Sequence, residues 1–466
     1  QIVSILSNNS DNQWAKVGDE VTISITASEA LIKDSTSILN KPATNINSSI
    51  TQFTSKYTFE SGDPEGVVAF QITFADSVGN EGVNVSETTN NSSVIFDSTP
   101  PENFTLGSVI AVSGNIVQKA WNSTNTGLNI NVPISATDTT LKNGIIQLWA
   151  KVGANLFSSI GDPYTIINSD LGSEKLLSLT AIEVEALTGF SEEDSLYFKA
   201  QITDRPGNQT DGIISQDRLV IDQVLPAMRN VSYSSNFSDS TLSTVGSLIS
   251  VTFSTEPLSA VPTIIISGNS GSVSGSAGDS IWIGTYNMQD GDSEGVVPFT
   301  INGLIDLRGN SIDGFSSTTD ETAVVFDNTK PSLNPVTISS SNPNSTNWAK
   351  IGDTIIVNFS SDELLSNQSV TISGQNSSIN DIGNNQYTGY YVMTGSEPEG
   401  VISFEILVTD AVGLTSDPVF TTSNSSEVIF DMTSPSLDMV HIESNNSNNT
   451  LIGVANDEVY LSFSAN

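Results

Sequence analysis

One sequence pattern occurs four times along this chain and constrains its fold more than any other feature. Each copy contains a short turn that begins with Asp and has Gly as its fourth residue, then a polar stretch, then an apolar strand that ends in Asp and is followed by Pro. Asp and Asn close such turns through their own side chains, and Gly supplies the positive φ. Pro cannot donate to a β-ladder, so it ends the strand. The turns are residues 76–80, 204–208, 306–310 and 410–414, and the strands with their exits are residues 94–101, 219–226, 324–331 and 428–435.

The spacing of the copies predicts the number of domains. The exit aspartates Asp97, Asp222, Asp327 and Asp431 lie about 100 to 125 residues apart, which corresponds to one domain per repeat. We therefore divide the chain into module one (1–100), a longer and divergent module two (101–226), module three (227–331) and module four (332–435). Residues 436–466 repeat only the opening of a module, so we expect them to be the first strands of a further, incomplete one.

The patterns within the modules are those of β-structure. Val21, Ile23 and Ile25 alternate with polar residues, which predicts a strand with one buried face. Further strands are predicted over 51–59 and 67–74, and a single helical turn over 180–187 in module two. Short strands that recur every eight to twelve residues, with Gly, Asn or Pro between them, are typical of an all-β sandwich.

Composition limits the classes of partner. The chain has 52 acidic and 15 basic residues, a net charge of −37 and no cysteine. Binding to nucleic acid or to an anionic membrane requires Lys and Arg, so both are disfavoured, whereas cations are attracted. No apolar stretch is long enough to predict a transmembrane helix.

The repeated turn, the exit strand and the Glu-Gly pairs at 65–66, 294–295 and 399–400 together resemble the Ig-like repeats of large bacterial and archaeal cell-surface proteins, including surface-layer proteins and calcium-stiffened adhesins. The resemblance covers nearly the whole chain and is weaker in module two. It implies an all-β fold of tandem Ig-like β-sandwich domains in an extended array, an extracellular location at the cell surface, and structural calcium near the linkers.

Calcium binds six to eight oxygen atoms from carboxylates and carbonyls, and the repeats provide candidate ligands at their turns and exits. The alternative is that each turn Asp caps its own backbone without metal. In the fourth turn Leu414 replaces the Asn of the other copies, which makes a metal there less expected. Any affinity should be of the weak extracellular kind, on the order of 0.1–1 mM. The candidate ligands are Asp63, Glu65, Asp76, Asn80, Asp97, Asp204, Asn208, Asp222, Asp292, Glu294, Asp306, Asn310, Asp327, Glu397, Glu399, Asp410 and Asp431.

Sequons of the type Asn-x-Ser/Thr are dense, although a chain rich in Asn, Ser and Thr produces many by composition alone. Glycosylation at these positions would favour an archaeal source. The candidate sites are Asn8, Asn47, Asn90, Asn103, Asn122, Asn236, Asn344, Asn376, Asn424 and Asn445.

Catalytic chemistry is not expected. His441 is the one histidine, so a Ser/His/Asp triad or a histidine-based metal site is excluded, and the acids recur in register with the repeats. Two structural functions compete. The favoured one is a surface layer, sheath or filament in which the partners are other copies of the chain and divalent cations. The alternative is a calcium-rigidified stalk that projects the distal binding domain of a large adhesin.

Overall fold

The computed structural model describes residues 1–47 and 49–465, leaving aside the side chains of residues 33, 34 and 47. The described chain is almost entirely β-structure, as the sequence predicted, and forms tandem β-sandwich units. Its buried hydrophobic side chains form four clusters, which lie within residues 3–96, 106–221, 231–326 and 336–430. The helices in the part of the chain that the structure describes are all too short to span a bilayer.

Module one contains three small sheets. Its first sheet has the order Ile2–Ser7, Glu20–Thr26, Gln52–Thr58 and Thr44–Asn47, and its second has the order Lys41–Pro42, Leu31–Ile38 and Phe70–Asp76. In the third, the exit strand Ile95–Phe96 lies between Trp14–Ala15, to which it is parallel, and Gly66–Val67, to which it is antiparallel. The exit strand therefore closes the module by pairing with segments from its beginning and its middle.

Modules three and four repeat this arrangement. The strands of module three are Arg229–Ser235, Leu242–Ser243, Leu248–Ser254, Thr263–Ile266, Asn269–Ser270, Ser272–Ser274, Ile281–Asn287, Gly295–Val296, Phe299–Asn302, Leu304–Ile305, Ser311–Ile312 and Val325–Phe326. Those of module four are Leu333–Ser340, Trp348–Ala349, Thr354–Ser361, Leu365–Ile372, Gln375–Asn376, Ser378–Gly383, Gln386–Val392, Gly400–Val401, Phe404–Asp410 and Ile429–Phe430. In both modules the exit strand again pairs in parallel with an early two-residue strand.

Module two has a larger second sheet. A three-stranded sheet of Val109–Val112, Gly127–Pro133 and Glu174–Thr180 packs with a six-stranded sheet of Ala120–Asn122, Leu219–Asp222, Ser195–Thr203, Ile145–Val152, Ser158–Thr165 and Gln209–Asp211. The predicted helical turn is present at Ala181–Glu185, where Thr180 and Glu183 form a capping box. Two 3-10 turns occupy Thr139–Leu141 and Asn168–Asp170.

The structure confirms the predicted alternation and corrects one strand. Val21, Ile23 and Ile25 are all buried on one face. The continuous strand predicted over 67–74 is instead divided, because Gly66–Val67 pairs with the exit strand while Phe70–Asp76 pairs in another sheet. The chain thus changes sheets at this point, which a hydrophobic pattern alone does not reveal. Residues 437–465 form a single hairpin, Leu437–Ser444 with Val459–Ala465.

Candidate metal centre

The repeated turns are closed by their own side chains. In the third copy, Asp306 Oδ1 accepts hydrogen bonds from the backbone N–H of Arg308 at 2.8 Å and of Asn310 at 2.9 Å, and the Asn310 amide donates to Asp306 Oδ2 at 2.9 Å. The turns that begin at Asp76 and Asp204 contain the same Asn-to-Asp bond. The turn conformation therefore needs no metal, in agreement with the simpler sequence interpretation.

What the sequence did not reveal is which turn lies near which exit. The structure brings the exit Asp of one module together with the turn of the following module. At the first junction, between modules one and two, Asn208 Nδ2 donates to the backbone carbonyl of Asp97 at 3.1 Å. At the third junction, between modules three and four, Asp327 lies beside Asp410. Each candidate site is thus built by two modules, and the turn of module one, at Asp76 and the exposed Asn80, has no such counterpart among the described residues.

The third junction contains a cluster of three carboxylates. Asp327, Glu363 and Asp410 each place an oxygen within 4.8 Å of the others. Asp410 is fully buried, and its Oδ2 has no hydrogen-bond partner. The reason is Leu414, which cannot supply the amide that Asn80, Asn208 and Asn310 donate to the equivalent oxygen. We expected Leu414 to disfavour a metal, and that expectation stays a prediction; in the structure Leu414 leaves Asp410 Oδ2 without a hydrogen-bond donor.

The electrostatics of this cluster are unfavourable without a cation. Burial, together with the charges of Asp327 and Asp410, raises the pKa of Glu363 to about 7. Burial and the charges of Asp410 and Glu294 likewise raise the pKa of Asp327, against an opposing hydrogen bond from the Thr329 backbone. No ion pair found among the described residues includes any of the three carboxylates. Three carboxylates that converge on one point without a positive partner form a donor set suited to a hard cation such as Ca²⁺.

Glu363 was not among the residues singled out from the sequence. It follows the buried strand Thr354–Ser361, in the loop that leads to Leu365, and the backbone of Leu365 pairs with Asp410. The available signal was a Glu two residues before the leucine that pairs with the turn Asp, since Glu29 stands at the same place before Leu31 in module one.

The first junction has a similar but less compact arrangement. Asp97 is buried, and its Oδ2 has no hydrogen-bond partner. Burial raises the pKa of Asp97, and the charges of Glu65 and Asp138 add to this, against an opposing Thr99 backbone bond. Burial also raises the pKa of Asp204 to about 6, although hydrogen bonds from Asn208 and Gly207 oppose it. The carboxylates of Asp97, Asp204 and the previously unmarked Asp138 are thus near enough for their charges to interact, but their oxygens do not converge within 4.8 Å as those of the third junction do, among the residues that the structure describes. The first junction is therefore a second, more open candidate site.

Direct contacts accompany this site at the first junction. Asn9 Nδ2 donates to the Pro206 carbonyl at 2.8 Å, and Arg205 Nε lies 2.7 Å from Asp11 Oδ2. The Arg205 guanidinium also lies 5.3 Å from the ring centroid of Trp14, close enough for a cation–π interaction. Direct contacts between protein groups therefore contribute to joining modules one and two.

The second junction, between modules two and three, is built from amides. Asn122 Nδ2 donates to the Arg308 carbonyl at 2.7 Å, and Asn115 Nδ2 donates to the Gly309 carbonyl at 2.9 Å. Ser123 donates to Asn310 Oδ1 through both its N–H, at 2.9 Å, and its hydroxyl, at 2.7 Å. Here the exit Asp222 meets the side chain of Arg308 rather than a third carboxylate.

Three of the proposed ligands act within their own module instead. Asp63, Asp292 and Glu397 each accept a hydrogen bond from a tyrosine six residues earlier and from backbone N–H groups of their own turn. Asp63 is also paired with Lys41 at 2.6 Å. Their oxygens are already engaged, so the structure gives no support for a metal at these three positions. The Tyr-to-acid spacing of six residues, which recurs in module two as Tyr164 and Asp170, was the overlooked signal.

The Glu of each Glu-Gly pair anchors the exit of its own module. Glu65 accepts hydrogen bonds from Ser98 and Thr99, and the same contacts join Glu294 to 328–329 and Glu399 to 432–433. The exit aspartates cap their own backbone, as Asp431 does by accepting from the Thr433 N–H. These glutamates therefore fix the direction in which the chain leaves each module.

The sequon asparagines differ in exposure. Asn122 is fully buried, and its amide donates to two backbone carbonyls at the second junction. A glycan on that nitrogen is incompatible with this packing, because it would separate modules two and three. The side chain of Asn47 lies outside the described residues. The other sequon asparagines are exposed: Asn8, Asn90, Asn103, Asn236, Asn344, Asn376, Asn424 and Asn445.

Comparison with known proteins gives structural matches of low sequence identity and low TM-score. No protein-family model and no curated protein sequence matches the chain. Among solved structures, a Ca²⁺-stabilised adhesin that helps an Antarctic bacterium reach out and bind ice is 14% identical over 92% of this chain and all of that one, with a TM-score of 0.39. A 1.5-MDa bacterial ice-binding adhesin is 12% identical over 72% of this chain and all of that one, with a TM-score of 0.33. The tetra-tandem repeat in the extending region of a large adhesion protein is 16% identical over 92% of this chain and 99% of that one, with a TM-score of 0.28.

Proposed function

We propose that this chain is a segment of an extracellular stalk, in which calcium held at module junctions keeps successive β-sandwiches in line so that a distant binding domain is projected from the cell surface. This was the alternative in the sequence interpretation. It is supported first by the third junction, where Asp327, Glu363 and the unpartnered Oδ2 of Asp410 converge between two modules.

The position of the site is what connects calcium to stiffness. Asp327 ends module three, whereas Glu363 and Asp410 belong to module four. A cation bound by all three joins the two modules and removes the repulsion that otherwise drives their carboxylates apart. Across this junction the polar side-chain contacts found among the described residues are the exposed ion pair of Lys330 and Asp417, at 2.8 Å, and a hydrogen bond between the carboxyl groups of Asp327 and Glu363 within the cluster itself. An exposed ion pair contributes little because solvent screens it, so the cation would supply most of the coupling between the modules.

The large negative charge agrees with an extracellular calcium-rich setting, because cations bound at the acidic surface offset its self-repulsion. The surface-layer interpretation depends on lateral contacts between copies and stays a prediction, as do glycosylation and the absence of catalytic activity. Electron microscopy of the protein on its native cells would separate the two functions: single projecting fibres are expected for a stalk, and a two-dimensional array would contradict it.

Small-angle X-ray scattering of the whole chain tests the mechanical part of the proposal. In calcium we expect a longer maximum dimension and a narrower set of conformations than in chelator, because the third junction becomes fixed. Magnesium serves as the control, since it demands closer octahedral geometry and retains its waters. Identical scattering curves in calcium and in chelator would contradict the proposal.

A further inference from the structure

At the second junction a basic side chain lies beside the exit aspartate, whereas Arg205 at the first junction pairs with Asp11 and Lys330 at the third pairs with Asp417. Arg308 is the third residue of its turn, and the corresponding residues are Pro206 at the first junction and Val412 at the third. The Arg308 Nε atom lies 3.7 Å from Oδ2 of the exit residue Asp222, and its Nη2 donates to Glu193 Oε2 at 3.2 Å. The guanidinium thus faces the carboxylate equivalent to Asp97 and Asp327.

The second junction also lacks the third carboxylate. Leu258 and Leu365 occupy equivalent positions, because each pairs with the turn Asp of its module. Between the preceding acid and this leucine, module four has Glu363 and Leu364, but module three has only Pro257. The preceding acid itself, Glu256, accepts a hydrogen bond from the N–H that begins its module, just as Asp362 does in module four. Module three therefore has no equivalent of Glu363, the residue that completes the acidic cluster at the third junction.

The oxygens that remain at the second junction are occupied. Asp306 Oδ2 accepts from the Asn310 amide, and Asp306 Oδ1 accepts from two backbone N–H groups. Asp222 Oδ1 accepts from the Val224 N–H, which leaves Asp222 Oδ2 facing Arg308. No carboxylate oxygen at this junction is both buried and unpartnered, among the residues that the structure describes, whereas Asp97 and Asp410 each have one.

We propose that the Arg308 guanidinium takes the place of the metal at the second junction, so that modules two and three stay aligned without calcium. This inference rests on the proposed calcium-dependent junctions on either side. A guanidinium carries its charge permanently, and here it forms an ion pair with Asp222 while donating a hydrogen bond to Glu193, so it offsets the charge of the exit carboxylate of module two. Removal of calcium would then loosen the chain at the first and third junctions and leave modules two and three as one unit.

Distance measurements between paired spin labels test this directly, and the absence of cysteine allows labels to be placed at will. Exposed residues suit the labels: Ile182→Cys with Ile281→Cys spans the second junction, and Ile281→Cys with Ile382→Cys spans the third. With the whole chain in chelator, we expect a narrow distance distribution across the second junction and a broad one across the third. Addition of calcium should narrow the distance distribution across the third junction and leave that across the second unchanged.

The variant Arg308→Gln should lose the narrow distribution across the second junction in chelator, and calcium should not restore it because the third carboxylate is missing. Arg308→Lys, which keeps a positive charge, should retain much of the alignment, and Arg218→Gln is the matched control outside the junction. Circular dichroism checks that each variant folds. The role of Arg308 would be overturned if the distance distribution across the second junction is broad in chelator and narrow in calcium. It would also be overturned if that distribution stays narrow in Arg308→Gln. If the distance distribution across the third junction is the same with and without calcium, the proposed function is contradicted instead, so the two failures are distinguishable.

Discussion

At the second junction the turn of module three lies tight against module two, whereas at the third junction the turn of module four stands apart from module three. A Cβ atom on Gly309 would lie 2.5 Å from Asn122 Nδ2, but one on Gly413 would have no described neighbour within 4 Å. The tight junction has four amide and hydroxyl contacts and an arginine, and the open junction has three converging carboxylates. Two neighbouring junctions that use the same type of turn thus differ: protein donors join the modules at the second, and a candidate cation site lies at the third.

The largest difference is expected when the turn aspartates are neutralised. Asp410→Asn should remove calcium binding at the third junction, with an affinity loss of about 100-fold, because a buried ligand is replaced by an amide that offers one oxygen. Isothermal titration calorimetry of the whole chain measures this loss. The matched change at the second junction, Asp306→Asn, should leave calcium binding unaltered. Equal effects of the two variants would remove the contrast between the junctions.

Removal of the charge of Glu363, the third carboxylate of the cluster, should have the next largest effect on calcium affinity. Glu363→Gln should lower the calcium affinity of the third junction about tenfold, since glutamine keeps one ligand oxygen and loses the charge. Its counterpart in the preceding loop, Glu256→Gln, changes an acid that holds only the backbone of Ala227 and should leave calcium affinity unaltered. If Glu363→Gln binds calcium as tightly as the native chain, Glu363 is not a ligand.

These predictions concern residues that the sequence grouped differently from the structure. The strands, the turns and the repeat could be predicted because hydrophobic alternation and turn chemistry are local properties. The junction sites could not, because Asp97 meets Asp204 and Asp327 meets Asp410 across module boundaries. Asp63 and Glu397 are residue types that bind calcium, but tyrosines of their own modules donate hydrogen bonds to them, so their assignment as ligands stays a prediction without structural support.

A smaller effect is expected from restoring the missing turn asparagine. Leu414→Asn should let the new amide donate to Asp410 Oδ2, as Asn310 does to Asp306, so that calcium must displace a hydrogen bond worth about 1 kcal/mol. Affinity at the third junction should fall about fivefold, measured by the same calorimetry. Leu414→Met controls for the loss of packing. Tighter binding in Leu414→Asn would show that Asp410 Oδ2 is not where the cation binds.

The smallest effect on calcium affinity is expected when an acid that is hydrogen-bonded within its own module is replaced, as in Glu397→Gln. Burial tends to raise the pKa of Glu397, but hydrogen bonds from Tyr391, Thr394 and Gly395 outweigh it and lower the pKa to about 2. A lowered pKa stabilises the fold above the unfolded pKa of about 4.5, and this stabilisation is lost as the pH falls towards 2. Glu397→Gln should therefore lower the melting temperature at pH 7 and converge with the native chain in acid.

Calcium affinity should not change in Glu397→Gln, because its oxygens belong to module four alone. Glu405→Gln, on a strand of the same module, is the matched control for both readouts. A loss of calcium binding in Glu397→Gln, without unfolding, would contradict the separation between turn acids within modules and carboxylates at junctions.

The central claim is that buried, unpartnered carboxylate oxygens at the junctions mark where a cation couples two modules. Counting the calcium ions bound by the whole native chain, by calorimetry with independent metal analysis, tests it most directly. We expect two saturable sites, at the first and third junctions, with an affinity on the order of 0.1–1 mM, and one remaining site in Asp410→Asn. No saturable site, or a further site at the second junction while Arg308 is present, would contradict it.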